Sequence, residues 1–122
     1  MPTPRRAASF ALALAVVLSS TPAAAVAQPR ETVAHGRALL AQYRCGSCHT
    51  IPGVPGSRGQ VAPPLTAWSQ RSYIAGRLPN RPDLLARWIV APQSLVPGTL
   101  MPSMGVSPAD AQAMAAYLFS LE

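Results

Sequence analysis

Residues 43–53 of this chain read YRCGSCHTIPG and contain both of its cysteines. Cys45 and Cys48 are three positions apart, and His49 directly follows the second cysteine. Three kinds of chemistry use such a cluster: a disulfide or dithiol redox site, a zinc site, and thioether attachment of a prosthetic group. Each predicts different surroundings, so the rest of the chain has to be compared with each.

The sequence around the cysteines argues against a disulfide or redox site and against a zinc site. A C-x-x-C redox site lies at the start of a helix in a strand–helix–strand unit, and no strand pattern flanks this one. A disulfide across so short a loop would also remove little chain entropy. Structural zinc needs four ligands, usually from two separated pairs, whereas this chain offers two cysteines, His49 and the distant His35.

The third kind of chemistry fits the pattern, because C-x-x-C-H is the signature of c-type haem attachment. Two thiols at this spacing can add to the two vinyl groups on one edge of the porphyrin, while the next imidazole reaches the iron. We therefore expect one covalently bound haem c (with its iron) per chain, with Cys45 and Cys48 as tethers and His49 as an iron ligand.

The N-terminus has the layout of a secretory signal. Two arginines precede an apolar run at residues 10–18, and the small residues AVA follow at 25–27. We expect a signal peptide at residues 1–27, cleaved near Ala27, and one domain at residues 30–122 in the periplasm. The alternative is an uncleaved anchor, but nine strongly apolar residues fall short of the roughly 20 that a spanning helix needs, so no stable membrane span is expected.

The charge of the exported part is moderately positive. All ten basic residues of the chain are arginines, and beyond residue 27 eight of them stand against four acidic residues, a net charge of +4. This excess favours an acidic protein partner or an anionic surface. Because the arginines are scattered singly and the chain is expected to be exported, nucleic acid is not an expected partner.

The mature chain reads as an all-α domain of three main helices and long loops. Apolar residues at helical spacing predict helices at 32–43 and 82–90, and a third helix begins after Ser107, which can cap it. A short helical piece is predicted at 69–75. Residues 51–65 are too rich in Pro and Gly for a regular element. A domain of roughly 95 residues has only a modest core, and a bound haem would complete it.

The second axial position on the iron can be filled by a thioether, a second imidazole or an exogenous ligand. Residues 96–106, VPGTLMPSMGV, place Met101 and Met104 on a loop after the second main helix. Met114 lies at helical spacing with apolar neighbours and is expected to be a core residue. The residues alone leave Met101 and Met104 both open.

Four motifs in order, GRALLAQYRCGSCHT (36–50), APPLT (62–66), PGTLMP (97–102) and AAYL (115–118), resemble the small class I c-type cytochromes. The resemblance covers essentially the whole mature chain. It implies a cytochrome c fold around one haem c, with Met101 rather than Met104 as the methionine ligand.

The same resemblance implies roles for other residues. Pro63 would accept a hydrogen bond from His49 through its carbonyl, and Gly36 would let the first and last helices cross with Tyr117 packed over it. Ala62 replaces the glycine that is usual before that proline. Residues 71–92 are similar to the cytochrome c domain fused to subunit II of some haem-copper oxidases. That likeness makes three residues candidates for holding the haem propionates, against the alternative of a surface arginine and two core aromatics: Arg71, Tyr73 and Trp88.

The function implied by the resemblance is one-electron transfer in a periplasmic respiratory chain by a carrier that is not itself an enzyme. The expected donor is a quinol-oxidising complex or a periplasmic dehydrogenase, and the expected acceptor is a terminal oxidase or reductase. Two alternatives are a haem subunit of a periplasmic dehydrogenase complex and a haem enzyme or sensor with an open sixth position. The chain shows no distal His–Arg pair of the peroxidase kind, which disfavours the last.

Overall fold

The computed structural model describes residues 1, 3 and 29–122, so the predicted signal peptide lies, apart from two positions, outside the described residues. Helices predominate in the described part, which confirms the all-α prediction. The α-helices are α1 (Pro29–Gln42), α2 (Pro82–Val90), α3 (Pro92–Leu95) and α4 (Pro108–Phe119). Single turns of 3-10 helix occur at Cys45–Ser47 and Trp68–Gln70. None of the helices in the described part has the length and hydropathy to cross a bilayer.

The main helix contact is between α1 and α4, and α2 also packs on α4. Gly36 of α1 lies against the backbone of Ala113 in α4, so closely that a Cβ at Gly36 would overlap the Ala113 carbonyl. The absence of a side chain at Gly36 is therefore what allows the two helices to touch, as the resemblance implied. Tyr117, one turn beyond Ala113, donates a hydrogen bond from its hydroxyl to the Pro52 carbonyl, 2.6 Å away.

The buried core lies between these helices and the loops that follow α1 and α3. On α4 the buried residues include Ala111, Met114, Ala115 and Leu118, which lie at helical spacing on one face. Met114 is completely buried, which confirms its assignment to the core. On α2 the buried residues are Leu85, Ala86, Trp88 and Ile89.

The N-terminus of α4 begins where the sequence predicts. The Ser107 side chain accepts a hydrogen bond from the backbone N–H of Asp110 at 3.1 Å, and Pro108 occupies the first helical position. Asp110 in turn accepts a hydrogen bond of 2.9 Å from the Tyr43 hydroxyl, just after α1. The same first turn of α4 is thus capped by its own serine and tied to the end of α1.

The helical piece predicted at residues 69–75 is confirmed only at its start, as the 3-10 turn Trp68–Gln70, and is wrong for residues 71–75. The 3-10 turn at Trp68–Gln70 is followed by an antiparallel hairpin of β1 (Tyr73–Ile74) and β2 (Leu78–Pro79), with Ile74 opposite Leu78. Ala75 and Gly76 join the strands with φ values of 50° and 68°, and left-handed residues cannot continue a right-handed helix. Ile74 is fully buried, so the hairpin is held by its packing on the core.

Candidate functional site

The two cysteines lie on a tight turn directly after α1. Arg44 adopts a left-handed conformation with φ 55°, which ends α1 and turns the chain into the 3-10 turn Cys45–Ser47. The backbone N–H groups of Cys48 and His49 both donate to the Cys45 carbonyl, at 3.3 and 3.1 Å. Both thiols are free, with Cys45 half-buried and Cys48 exposed. Burial raises the pKa of the Cys45 thiol. The turn therefore presents two unpaired thiols and an imidazole on five consecutive residues.

The imidazole of His49 is oriented by a backbone carbonyl from the following loop. Its Nδ1 lies 2.7 Å from the carbonyl oxygen of Pro63. Because a carbonyl only accepts, Nδ1 carries the hydrogen and the lone pair of the neutral ring is on Nε2. This is the contact that the resemblance implied, and it leaves Nε2 as the metal-binding nitrogen, the arrangement common to ligating histidines. That His49 binds iron stays a prediction.

The Pro/Gly-rich loop is wrapped onto the cysteine turn by backbone hydrogen bonds. Gly59 donates to the Gly46 carbonyl, and Ala62 donates to the Cys48 carbonyl, both at 3.0 Å. Gly59 packs directly on the backbone of Cys48, leaving no room for a Cβ. The φ angle of Ala62 is not positive, so this position does not need a glycine. The backbone therefore tolerates alanine in place of the glycine that is usual before the proline.

Met101 and Met104 differ in how deeply they are buried. Met101 is half-buried and packs against the hydrophobic core, whereas 45 % of the Met104 surface is exposed. Their loop is attached to the end of α2, because the Ser103 hydroxyl donates to the Val90 carbonyl at 3.0 Å. Of the two methionines that the residues alone left open, Met101 is the one that packs against the hydrophobic core.

The three candidate propionate residues are not joined to one another by any hydrogen bond within residues 29–122. The Arg71 guanidinium donates to the carbonyls of Pro64 and Thr66, the latter at 2.9 Å, and its Cζ lies 5.2 Å from the centre of the Trp68 ring. Tyr73 is 59 % exposed on β1, so it is not a core aromatic, while Trp88 is 7 % exposed. Arg71 thus stabilises the loop that carries Pro63, and a propionate role for any of the three stays a prediction.

Two residues near this loop were missed from the sequence. Trp68 is 5 % exposed and supports Arg71 through the cation–π contact. The Asn80 side chain donates to the carbonyls of Trp68 and Arg71, both at 3.0 Å, and so closes the hairpin onto the 3-10 turn. The sequence did offer a signal at Asn80, because asparagine is common in turns, where its side chain bonds nearby backbone groups.

The side chains at this site fit an iron porphyrin better than the rival chemistries. No disulfide joins the two cysteines. Nowhere in the described part of the chain do three or more His, Cys, Asp or Glu side chains gather as they would around a metal ion. What remains is two free thiols for thioether bonds, an imidazole with a free Nε2, and a methionine sulfur, the set of groups that holds haem in His/Met cytochromes.

Comparison with known proteins agrees with this chemistry. The family model for cytochrome c matches residues 33–122, most of the chain, and the chain therefore belongs to the cytochrome c family. It is similar to the cytochrome c oxidase subunit 2 of Alkalihalophilus pseudofirmus, with 39 % identity over 101 residues. That alignment covers 81 % of this chain but only 29 % of the relative, so the chain spans less than a third of that protein's length. No solved structure matches the chain significantly.

Family membership confirms two predictions from the sequence. The chain is a small class I c-type cytochrome, and its predominantly helical architecture is the cytochrome c fold. Haem binding and haem-based electron transfer follow from the family. The likeness to an oxidase subunit agrees with the resemblance of residues 71–92 noted above.

Proposed function

We propose that this chain is a monohaem c-type cytochrome that carries one electron at a time and is not itself an enzyme. In this proposal Cys45 and Cys48 hold the haem through thioether bonds, and His49 and Met101 are its axial ligands. The observation that carries the proposal is the hydrogen bond between His49 Nδ1 and the Pro63 carbonyl. This hydrogen bond orients the imidazole and leaves Nε2 free to bind iron. His49 also directly follows Cys48, whose thiol is free to form a thioether bond.

The residues of the chain would perform three tasks. The Pro63 carbonyl keeps the His49 ring in one tautomer and makes it a better donor to the metal. Met101 is half-buried against the core, and as a ligand it would keep water and exogenous ligands from the iron. The apolar core around a bound haem would disfavour the extra positive charge of oxidised iron. The bound haem would supply the one-electron couple, and with both axial positions closed the protein would transfer electrons without binding a substrate at the metal.

The proposed place of this carrier is a periplasmic respiratory chain. The secretory pattern at residues 1–27 supports export, and the likeness to an oxidase subunit supports a terminal oxidase as the electron acceptor. A reductase is the other acceptor that this chemistry allows, and a quinol-oxidising complex or a periplasmic dehydrogenase would be the donor. The positive net charge of the exported part would assist docking to acidic partners.

The test of ligation uses the protein produced in a host that attaches haem c. We expect a red product whose haem stays bound after denaturation, and an oxidised spectrum with the weak charge-transfer band of methionine sulfur bound to ferric haem. Met101→Ala should abolish this band, and the matched variant Met104→Ala should retain it. The opposite pattern would assign the ligand to Met104, and a colourless folded product would end the proposal.

The test of location uses the full-length chain. Cell fractionation should find the haem protein in the periplasmic fraction, with an N-terminus near residue 28 by mass spectrometry. A haem protein that keeps residues 1–27 and sediments with membranes would show that the segment serves as an anchor instead.

A further inference from the structure

A small polar cleft lies where the end of α1, the cysteine turn and the loop at residues 55–57 meet. Its volume is about 140 Å³, which is more than a single water molecule needs and leaves room for a small polyatomic ion. Gly46 and Gly56 line the cleft through their backbones. Three polar side chains also line it: Arg44, Ser47 and Ser57.

The Ser57 hydroxyl is a buried polar group that the fold leaves without a partner. Ser57 is only 6 % exposed, and its hydroxyl makes no hydrogen bond with any residue that the structure describes. Gly46 lies so close to it that a Cβ there would overlap the hydroxyl, so the space beside Ser57 depends on the missing side chain. Buried hydroxyls in native proteins nearly always have a hydrogen-bond partner. The partner of Ser57 is therefore expected to be a group bound in the cleft.

Arg44 gives the cleft a positive charge that the fold does not neutralise. Its side chain is exposed and has no hydrogen bond or ion pair within the described part of the chain. By contrast, Arg37 bonds a backbone carbonyl, and Arg81 pairs with Asp83 at 2.9 Å. Residues 32–82 contain no acidic residue that could pair with Arg44 from this part of the sequence. Its charge therefore favours an anion in the cleft.

The donors of the cleft match an oxyanion. A guanidinium presents several N–H groups in one plane and can bond two oxygen atoms of a phosphate group at once. The hydroxyls of Ser47 and Ser57 can each donate one further hydrogen bond. These donors come from two segments that face each other across the cleft, which suits a tetrahedral oxyanion better than a planar carboxylate. Water alone would satisfy the hydroxyls but would leave the charge of Arg44 unpaired.

We propose that this cleft binds one phosphate group, with Arg44, Ser47 and Ser57 as the residues that hold it. The group comes either from inorganic phosphate or from the headgroup of a lipid, since both present the same tetrahedral oxyanion. The site goes beyond the proposed electron transfer, because none of its donors is a proposed haem ligand. A bound phosphate also stabilises the folded state by mass action.

The test measures the binding of inorganic phosphate to the haem-loaded protein by isothermal titration calorimetry, at neutral pH and constant ionic strength. We expect saturable binding of a single phosphate. Arg44→Gln should raise the dissociation constant about tenfold or more, since it removes a charge-assisted hydrogen bond. The matched control Arg58→Gln removes an equal charge from an exposed position outside the cleft. This control should change the dissociation constant by less than about twofold, because solvent ions screen an exposed charge.

A second pair of variants examines the buried hydroxyl. Ser57→Ala keeps a small side chain beside Gly46, and it should weaken phosphate binding about threefold, as expected for the loss of one neutral hydrogen bond. It should also reduce the rise in melting temperature that phosphate gives the unchanged protein. Ser72→Ala removes an exposed hydroxyl elsewhere and should leave both readouts unchanged. Equal effects of the two serine changes would contradict a role for Ser57.

Vesicles of phosphatidylcholine with and without phosphatidic acid identify the source of the phosphate group. Binding to the phosphatidic acid vesicles that Arg44→Gln abolishes and free phosphate displaces would assign the cleft to a lipid headgroup. Binding of free phosphate without binding to vesicles would assign it to the dissolved ion. Tighter binding of acetate than of phosphate would contradict a tetrahedral ligand.

Two results would overturn the proposal altogether. One is that the protein binds neither inorganic phosphate nor the phosphatidic acid vesicles. The other is that Arg58→Gln weakens binding as much as Arg44→Gln, which would show that only net charge matters. A protein that gives either result but still carries haem and exchanges electrons contradicts the phosphate cleft and leaves the proposed electron transfer intact.

Discussion

Gly36 is a position where the fold depends on a missing side chain. A glycine inside a helix usually costs about 0.5–1 kcal/mol relative to alanine, so Gly→Ala normally stabilises. Here the new Cβ would overlap the Ala113 carbonyl of α4, and overpacking of this kind costs about 1–3 kcal/mol. We expect Gly36→Ala to lower the free energy of unfolding by about 1–2 kcal/mol, as measured by denaturant titration of the haem-loaded protein.

The matched control is Ala34→Gly, at an exposed position on α1. This change should lower the free energy of unfolding only by the difference in helix propensity between alanine and glycine, about 1 kcal/mol. If Gly36→Ala instead stabilises the protein, α1 and α4 are farther apart than the structure places them.

Arg71 supports the site through hydrogen bonds to the backbone of the loop that carries Pro63. Its guanidinium bonds the carbonyls of Pro64 and Thr66, which follow the carbonyl that orients His49. Fixing the backbone on one side of Pro63 restricts where its oxygen can lie. A planar group with several N–H donors can hold two carbonyls at once, which a lysine ammonium does less well. Arg71 is thus a positioning residue for the His49 contact.

The start of α4 depends on Ser107, whose hydroxyl satisfies one of the free N–H groups of the first turn. Replacing an N-cap serine by alanine costs about 1 kcal/mol. We expect Ser107→Ala to lower the free energy of unfolding by about this amount, read from chemical denaturation. Ser94→Ala on α3 removes a hydroxyl at an exposed position where no cap bond is made, and it should leave stability unchanged. Equal effects of the two changes would refute the capping role.

The hydrogen bond from Tyr43 to Asp110 joins the end of α1 to the start of α4 and gives the fold a pH dependence. This hydrogen bond to the Asp110 carboxylate raises the pKa of Tyr43 above its ordinary value near 10. The folded state therefore holds the phenol proton more tightly than the unfolded state. The stabilisation is fully present below pH 10 and is lost as the pH rises through the folded pKa.

The variant Tyr43→Phe removes this linkage. We expect it to be modestly less stable than the unchanged protein at pH 7 and to lose less stability between pH 9 and pH 11 (about one unit either side of the ordinary value). Thermal melts across this range measure both effects. Parallel pH profiles for the two proteins would show that Tyr43 is not the titrating group.

The domain as a whole has three main helices joined by long loops, and its core includes several residues contributed by those loops, such as Ile51, Val54 and Val106. A domain of this size gains limited stability from side-chain burial alone, and a bound apolar group adds to the surface removed from water. We therefore expect the variant Cys45→Ser/Cys48→Ser, which cannot form thioether bonds, to lose much of its stability.

Thermal unfolding followed by far-UV circular dichroism measures this loss. The variant should melt lower than the haem-loaded protein by about 10 °C or more, since each kcal/mol moves the midpoint of a domain this small by several degrees. The unchanged chain produced in a host without haem attachment should behave like the variant. Cooperative melting of both haem-free proteins at the temperature of the haem-loaded one would contradict a structural role for the haem.

Much of the fold could be predicted from the sequence because the governing interactions are local. The cap at Ser107, the proline at position 82 and the apolar stripes of α1, α2 and α4 act within one or two helical turns, and those elements lie within a few residues of their predicted places. The C-x-x-C-H cluster is equally local, since its thiols and imidazole are adjacent in the chain. The ordered motifs around it indicated the family before any packing was known.

Packing between distant segments decided the rest. The hairpin at 73–79 replaced a predicted helical piece because Ile74 is buried in the core and Ala75 adopts a left-handed conformation that a propensity argument does not anticipate. Arg71 offers several N–H groups, and only the folded loop shows that they bond Pro64 and Thr66. Local chemistry thus specified the elements of this cytochrome and the cluster that we propose as its haem tether, while tertiary contacts specified how its histidine, arginines and methionines are presented.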